Sequence, residues 1–551
     1  MKSRLFFIVF LSIVFLSFYS KIWDPDFFWH LNTGRWIVEH RSLPDHDPFS
    51  INTPLLSGED FFLRSYWAAQ VFYYFIYKTL GLNGFAAVKA LSFVSLFVVL
   101  VALLLKKGVR VPIVLSALLP VYAGLLDFRG DRPQMFTFLA FTVLVALLET
   151  GRLRWVPLLM LIWANIHGGF AIGVAVISIY IVCGFLNKRY RKPYDPAIFI
   201  WGAAGIAAAM FNPNSFGVFT KMLSMQNNAY TKGIMEYVSP INLALTYRDY
   251  YISYTALLFA GAFLVLRLRH KISLEKKALF FFTAAISLTA GRYIPFLLIA
   301  GGYITAVAAG EAMGGRLEGS RFVWIPLLMI LIVFAVDVRT AGLPSSGTAE
   351  GSYPEGGVSF IEGTGLKGNL FNNLEWGGYI SWKLPQCRVI ADTRRLSAHV
   401  SLEASAALQG DKGWEDTLNA YAINIIVTSA FSSVGDRYDL LWNLLNSPNW
   451  KLVFADKTAL VFVRNSPENS ELIGKYGLGI DKAYDQALAQ ARSFVEKFPN
   501  TPMHWSNLGM VYFFRRQFGE AAGAYRKALA LDPSDANLAY RLQLMEKASG
   551  Q

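Results

Sequence analysis

A succession of long apolar runs, separated by short basic clusters, constrains this chain more than any other feature. The runs are Leu5–Ile22, Phe85–Leu105, Val111–Leu126, Phe136–Leu148, Trp155–Ile166, Ala171–Leu186, Ala197–Phe211, Tyr251–Leu266, Ala278–Ala290, Ile294–Ala309 and Phe322–Val336. With no water to satisfy peptide groups, such runs cross a bilayer only as helices or closed barrels. About eleven helical spans follow, several of them short enough to need support from neighbours. Composition agrees: 54% of residues are hydrophobic and 16% charged, against about a quarter charged in a soluble domain.

The net charge of +13 argues for topology and against nucleic acid. Lys106-Lys107-x-x-Arg110, Arg152-x-Arg154, Lys188-Arg189-x-Arg191-Lys192 and Arg267-x-Arg269-His270-Lys271 all sit in short loops between apolar runs. Basic loops stay on the cytoplasmic side. The first run follows Lys2 and Arg4 without a small-residue cleavage site, so it reads as an uncleaved helix with a cytoplasmic N-terminus. Tyr66–Leu80 is aromatic and amphipathic and is placed in the interface, where Trp and Tyr prefer to sit. An odd number of spans then leaves everything after Asp337 outside the cytoplasm.

The expected organisation is a transmembrane core over 1–340 with a first outer loop over 23–84, a linker over 341–352, an external α/β domain over 353–465, and a helical segment over 478–548. The α/β domain rests on short strands at Asn369–Phe371, Arg388–Ala391 and Ile423–Thr428, a hairpin of Lys451–Phe454 with Ala459–Arg464, and helices at Trp414–Tyr421 and Tyr438–Leu445. Cys183 lies in an apolar run and Cys387 in a polar region, so no bridge is expected. The last segment carries Trp505-x-x-Leu508-Gly509-x-x-Tyr512, then Ala521, Tyr525, Ala528 and Pro533. This resembles the tetratricopeptide repeat of about 34 residues. One such repeat cannot bury its own face, so it must cap the α/β domain, a partner protein or another copy.

The chemistry concentrates in the first outer loop. Asp24 and Asp26 stand just past the first helix, in Trp23-Asp24-Pro25-Asp26-Phe27-Phe28-Trp29-His30. Carboxylates there can act as a general base toward an acceptor hydroxyl, or hold a divalent cation such as Mg or Mn. The bland alternatives are a helix cap at Asp24 and a turn at Asp47-Pro48. On the same expected side lie Arg132 in Asp127-Phe128-Arg129-Gly130-Asp131-Arg132, His167 beside Gly168-Gly169, Arg292, and Glu236 in a long loop, Asn227–Tyr247. A planar guanidinium suits a phosphate, which makes Arg132 and Arg292 candidates for a donor phosphate. The competing expectation is that either one snorkels, or pairs with Asp127 or Asp131. His30, Asp47, His167 and Glu236 are candidates for a substrate pocket. At the end of the strand Arg388–Ala391, Asp392-Thr393-Arg394-Arg395 reads as a salt-bridged strand end. There is no Walker loop, zinc-ligand spacing or dinucleotide fingerprint.

The arrangement Asp24-x-Asp26-x-x-Trp29-His30-Leu31-x-x-Gly34, then Pro44-x-x-Asp47-Pro48-Phe49-Ser50, then an aromatic interfacial helix, resembles bacterial membrane glycosyltransferases of the GT-C fold class. These include the protein O-mannosyltransferases and the lipid A aminoarabinose and galacturonic acid transferases. The resemblance covers roughly 1–340. It implies a sugar donor linked to polyprenyl phosphate, a glycan, lipid or protein acceptor, and a place in the bacterial inner membrane with periplasmic C-terminal domains. It also implies Asp24 or Asp26 as the acidic motif. Two other classes stay open at this level: a non-catalytic envelope scaffold acting through the tetratricopeptide segment, and a transporter of lipid-linked sugar. Acidic groups at one surface and no two-fold repeat speak against transport. Dispensable Asp24 and Asp26 would speak for the scaffold.

Overall fold

A computed structural model describes residues 2–51, 61–226, 235–242, 252–313 and 320–550. Parts of the expected outer loop Asn227–Tyr247, namely 227–234 and 243–247, lie outside the described residues. The chain forms two compact units. The first comprises Met1–Asp24, Thr33–Leu43 and Phe61–Gly347, and the second Pro25–Asn32, Pro44–Asp60 and Thr348–Gln551. Loop residues assigned to the transmembrane core from sequence are therefore shared between the units.

In the first unit every apolar run falls on a helix. Among the described residues, five helices are long and apolar enough to cross a membrane: Trp67–Lys106, Val111–Phe128, Phe170–Arg189, Gly291–Met313 and Trp324–Ala341. Others, such as Arg4–Phe18, Gln134–Glu149 and Ala197–Ala209, are apolar but shorter. Length and composition establish five of the expected eleven or so spans, and the shorter apolar helices match the runs expected to need support from neighbours. Trp67–Lys106 is interrupted at Gly81, whose φ of 63° and ψ of −161° are non-helical. Glycine takes that conformation without a steric penalty, and the break separates the aromatic segment from the apolar run after it.

Helices approach closely through small residues, as expected where lipid supplies no hydrophobic drive for association. A Cβ on Gly302 would lie 2.4 Å from the Val121 side chain, and one on Gly124 would lie 2.6 Å from that of Leu298. At one end of this bundle, Glu149 closes the Gln134–Glu149 helix and is buried to 4% side-chain exposure. Its carboxylate accepts from the hydroxyls of Tyr180 (2.8 Å) and Tyr303 (2.6 Å) and pairs with Lys276 at 2.9 Å and Lys107 at 3.3 Å. The basic clusters at the C-terminal ends of Trp67–Lys106 and Phe170–Arg189, and between Ile252–Arg267 and Leu274–Thr289, belong to this same end.

The second unit is built on a five-stranded sheet of order β2-β1-β3-β5-β4, with β1 Gly368–Asn372, β2 Cys387–Val389, β3 Ile423–Thr428, β4 Trp450–Ala455 and β5 Leu460–Arg464. β2, β1 and β3 run parallel, while β5 is antiparallel to both β3 and β4. The β4–β5 turn is held by Asp456, whose Oδ1 accepts from the Thr458 (2.8 Å) and Ala459 (2.7 Å) amides. Loop residues complete the sheet edge, with the Ile51 amide donating to the Val389 carbonyl at 2.8 Å.

Four helices follow: Asp481–Lys497, Pro502–Phe514, Phe518–Leu531 and Ala536–Ser549. Ala483, Ala487, Ala491, Leu508 and Val511 join one core with Phe371, Leu418, Ile426 and Leu460 of the α/β layer. Trp442 stacks on Phe514 with centroids 4.4 Å apart. The repeat therefore caps the α/β domain. Cys183 and Cys387 are both free.

Candidate active site

The candidate residues of the first unit gather at the end of the bundle opposite Glu149. Arg132 precedes the N-terminus of the Gln134–Glu149 helix, His167 follows Val156–Ile166, and Arg292 lies between Leu274–Thr289 and Ile294–Met313. Four of the charged groups form a row of alternating sign. Arg132 Nε reaches both Asp24 oxygens, at 2.9 and 2.7 Å. Arg132 Nη1 donates to Glu236 Oε2 at 3.3 Å, and Glu236 Oε1 lies 3.9 Å from Arg292 Nη1. The Arg292 guanidinium rests over the Tyr237 ring, 4.6 Å from its centroid. Asp24 is 1% exposed, whereas Arg132 and Glu236 keep a third of their side chains open.

Beside this row opens a cleft of about 730 Å³ lined by Tyr66, Thr137, His167, Lys221, Tyr237 and Arg292, among others. Its floor is a hydrogen-bonded triplet. The Trp163 indole donates to Thr137 Oγ1 at 2.9 Å, and Thr137 Oγ1 lies 2.9 Å from His167 Nδ1. The Gly169 amide donates to the same Nδ1 at 3.0 Å, so Nδ1 is an acceptor and a neutral ring carries its proton on Nε2. Burial, then the Arg292 and Arg132 cations, pushes the imidazole pKa down to about 3. His167 thus both lines the cleft and is packed and bonded, and it is built to stay neutral. The cleft offers two cations, Arg292 and Lys221, among aromatic walls. That suits an anionic group carried on an apolar or sugar-bearing ligand.

Asp26, His30 and Asp47 belong to the second unit. Asp26 accepts a short hydrogen bond from the Thr393 hydroxyl. His30 is buried and its ring lies 3.5 Å from that of Trp29, centroid to centroid. Asp47 makes the expected turn, accepting from the Phe49 amide at 3.2 Å, but it also holds Arg394 Nη2 at 3.1 and 3.2 Å. Arg394 is 1% exposed and pairs as well with Asp392 at 2.6 Å, so the salt-bridged strand end is real and larger than sequence suggested.

The pairings expected for Arg132 are replaced by others. Asp131 pairs with Lys89 and Arg129 with Asp337, each within 3.0 Å, which leaves Arg132 to Asp24. The helix after Asp24 begins at Phe27. Lys89, Thr137, Tyr66 and Lys221 were missed from sequence. Lys89 carried a usable signal, because a lone cation inside an apolar run marks a site by default. Both Asp24 carboxylate oxygens lie within hydrogen-bond distance of Arg132 Nε. Among the described residues no three His, Cys, Asp or Glu side chains converge on a metal-sized site.

A family model described as tetratricopeptide repeat matches residues 505–535. No curated protein matches the chain. Among solved structures, it is similar to the archaeal oligosaccharyltransferase AglB from Archaeoglobus fulgidus, in complex with an inhibitory peptide and a dolichol-phosphate. The TM-score is 0.47 at 10% identity, covering 100% of this chain and 87% of that one.

Proposed function

We propose that the chain is a membrane glycosyltransferase that moves a sugar from a polyprenyl-phosphate-linked donor to a glycan, lipid or protein acceptor on the periplasmic face of a bacterial inner membrane. The observation that carries this reading is the row Asp24–Arg132–Glu236–Arg292, whose last member lines a cleft with aromatic walls, at the end of the bundle opposite the basic clusters. A lipid-linked phosphate needs cations at that surface and an apolar approach, and a glycosyl acceptor needs a carboxylate close by.

In this reading Arg292 and Arg132 receive the donor phosphate, with Lys221 beside them. Arg132 then turns from Asp24 toward the phosphate, and Asp24, freed of its counter-ion, becomes a stronger base. The acceptor oxygen attacks the anomeric carbon and gives its proton to Asp24. The bond from that carbon to the phosphate oxygen breaks, and polyprenyl phosphate leaves on the guanidinium groups. Neutral His167 and the Thr137 hydroxyl hydrogen-bond the sugar. Asp26 is the alternative base. In the scaffold reading the repeat would need a partner to cover it, but part of its apolar surface is already used against the α/β core.

The test is mass spectrometry of envelope glycans and glycoproteins from cells carrying the wild-type chain, no chain, Asp24→Asn or Asp26→Asn. General-base catalysis is worth about 10²–10⁴-fold, so losing the true base removes nearly all product at unchanged protein level. Wild-type product from both variants would sink the enzyme reading in favour of the scaffold.

A further inference from the structure

The geometry points to Lys89 and Asp131 as a buried positioning pair that fixes Asp24 for its work without touching the substrate. The inference rests on the reading of Asp24 as base, and its test is separable from that reading. Lys89 lies in the Trp67–Lys106 helix and is 0% exposed, as is Asp131. The Lys89 ammonium donates to Asp131 Oδ1 at 2.6 Å, Ser20 Oγ at 2.9 Å and the Ser20 carbonyl at 3.2 Å. Three donors thus meet three acceptors. The second Asp131 oxygen accepts the backbone amides of Trp23 at 3.0 Å and Asp24 at 3.3 Å.

The next residue, Arg132, grips the Asp24 side chain. Consecutive residues therefore hold Asp24 by its backbone and by its carboxylate. Gly130 completes the cradle, because a Cβ there would lie 2.7 Å from Asp24 Oδ2. Lys89 ties this cradle to the Trp67–Lys106 helix and, through Ser20, to the chain leaving the first helix.

A purely structural account of the pair is weak on energetic grounds. Two charges buried at 0% exposure pay a desolvation penalty that a pair of well-packed apolar residues would not. What the ionic pair adds is direction, since an ammonium with three fixed acceptors holds a carboxylate at one angle and one distance. Lys89 and Asp131 are fully buried and neither lines the cleft; their link to the site is the Asp131 carboxylate on the Trp23 and Asp24 amides, so their effect on turnover is through Asp24.

The experiment reads the position of Asp24 directly, in purified full-length protein in lipid nanodiscs. N,N′-dicyclohexylcarbodiimide forms a stable adduct with buried carboxyl groups that escape ion pairing, and peptide mass spectrometry locates it. In the wild type Asp24 is shielded by Arg132 and labels slowly. Asp131→Asn and Lys89→Met each release the cradle, and adduct at Asp24 forms about tenfold faster, the loss expected for a hydrogen bond to a charged group. Glu149, at the far end of the bundle, is the internal control and labels at the wild-type rate throughout. Should Asp131→Asn fail to accumulate, Ser20→Ala removes one Lys89 acceptor and raises Asp24 labelling about threefold. Unchanged labelling of Asp24 in the folded variants overturns the proposal, and so does equal acceleration at Glu149, which would mean general loosening. If labelling rises but Asp24→Asn leaves the envelope glycans untouched, the anchor stands and the base assignment falls. If Asp24→Asn abolishes product while labelling stays flat, the base stands and the anchor falls.

Discussion

Alanine at Gly130 should uncouple stability from activity. Gly130 does not occupy a left-handed backbone conformation, so a side chain there strains nothing in the main chain. The only atoms near its hypothetical Cβ are Asp24 Oδ2 at 2.7 Å and Asp24 Cγ at 3.8 Å. An ordinary carbon–oxygen contact is about 3.3 Å, so the Asp24 carboxylate must retreat by roughly 0.6 Å. That movement breaks the two-oxygen grip of Arg132 Nε at 2.9 and 2.7 Å. A misplacement of about 1 Å at a reacting group can cost on the order of 10²-fold in rate, so about tenfold is expected here. Stability should change little in net, because the gain of about 0.4–1 kcal/mol that Gly→Ala draws from the unfolded state is offset by the weakened pair between Arg132 and the buried Asp24. The assay is complementation of a strain lacking the chain, with envelope product measured by mass spectrometry and the thermal midpoint measured on purified protein. Product near a tenth of wild type with a midpoint close to wild type is the expected pair. Full product would refute the claim that Asp24 must sit where the cradle puts it. Lost product with a collapsed midpoint would show that Gly130 serves packing.

Glu149→Gln removes the charge that two lysines and two tyrosines share and leaves Lys276, 15% exposed, without its counter-ion. A loss on the order of 3 kcal/mol is expected, read as a lower unfolding midpoint with the cleft chemistry unchanged in kind. His167 has a pKa of about 3 folded against 6.5 unperturbed, so the unfolded chain binds the extra proton between those values. Stability therefore falls as pH drops below 6.5, by up to about 1.4 kcal/mol per unit, and His167→Asn should flatten the midpoint-against-pH curve in that range. Truncation after Arg464 should leave the first unit inserted but expose the α/β surface now covered by Ala483, Ala487, Leu508 and Val511; limited proteolysis should then cut the sheet domain while sparing the helices of the first unit. Reporter fusions at Lys107 and Lys192 should read cytoplasmic and a fusion at Gln551 periplasmic, and a cytoplasmic signal at Gln551 would reverse the assigned topology.

Local signals were legible and pairings were not. Apolar runs, the strand segments and the hairpin of Lys451–Phe454 with Ala459–Arg464 each depend on neighbours in sequence, and the reading located them within a residue or a turn; the break at Gly81 was not read. The row of charges was half visible. Arg132 and Arg292 stood out as cations at membrane depth and Glu236 as an acid in a long outer loop, but which acid meets which base depends on helices far apart in the chain. Arg132 pairs with Asp24 across 108 positions and Lys89 with Asp131 across 42. No periodicity encodes that. The allocation of residues 25–32 and 44–51 to the second unit was invisible for the same reason, since partners such as Tyr353, Ser381, Val389 and Thr393 lie hundreds of positions further along the chain.

That last allocation sets a schedule for biogenesis. Asp26 meets Thr393 across 367 residues, so the first loop to be made waits for one of the last segments to be synthesised. At about 5–20 residues per second the delay is roughly 20–70 s. Throughout it Phe27, Phe28 and Trp29, all buried in the finished molecule, have no folded second unit to enter. A nascent chain stalled before β2 should present these aromatic residues to holdase chaperones or to the bilayer surface, and the ribosome's progress to Thr393 should end that exposure.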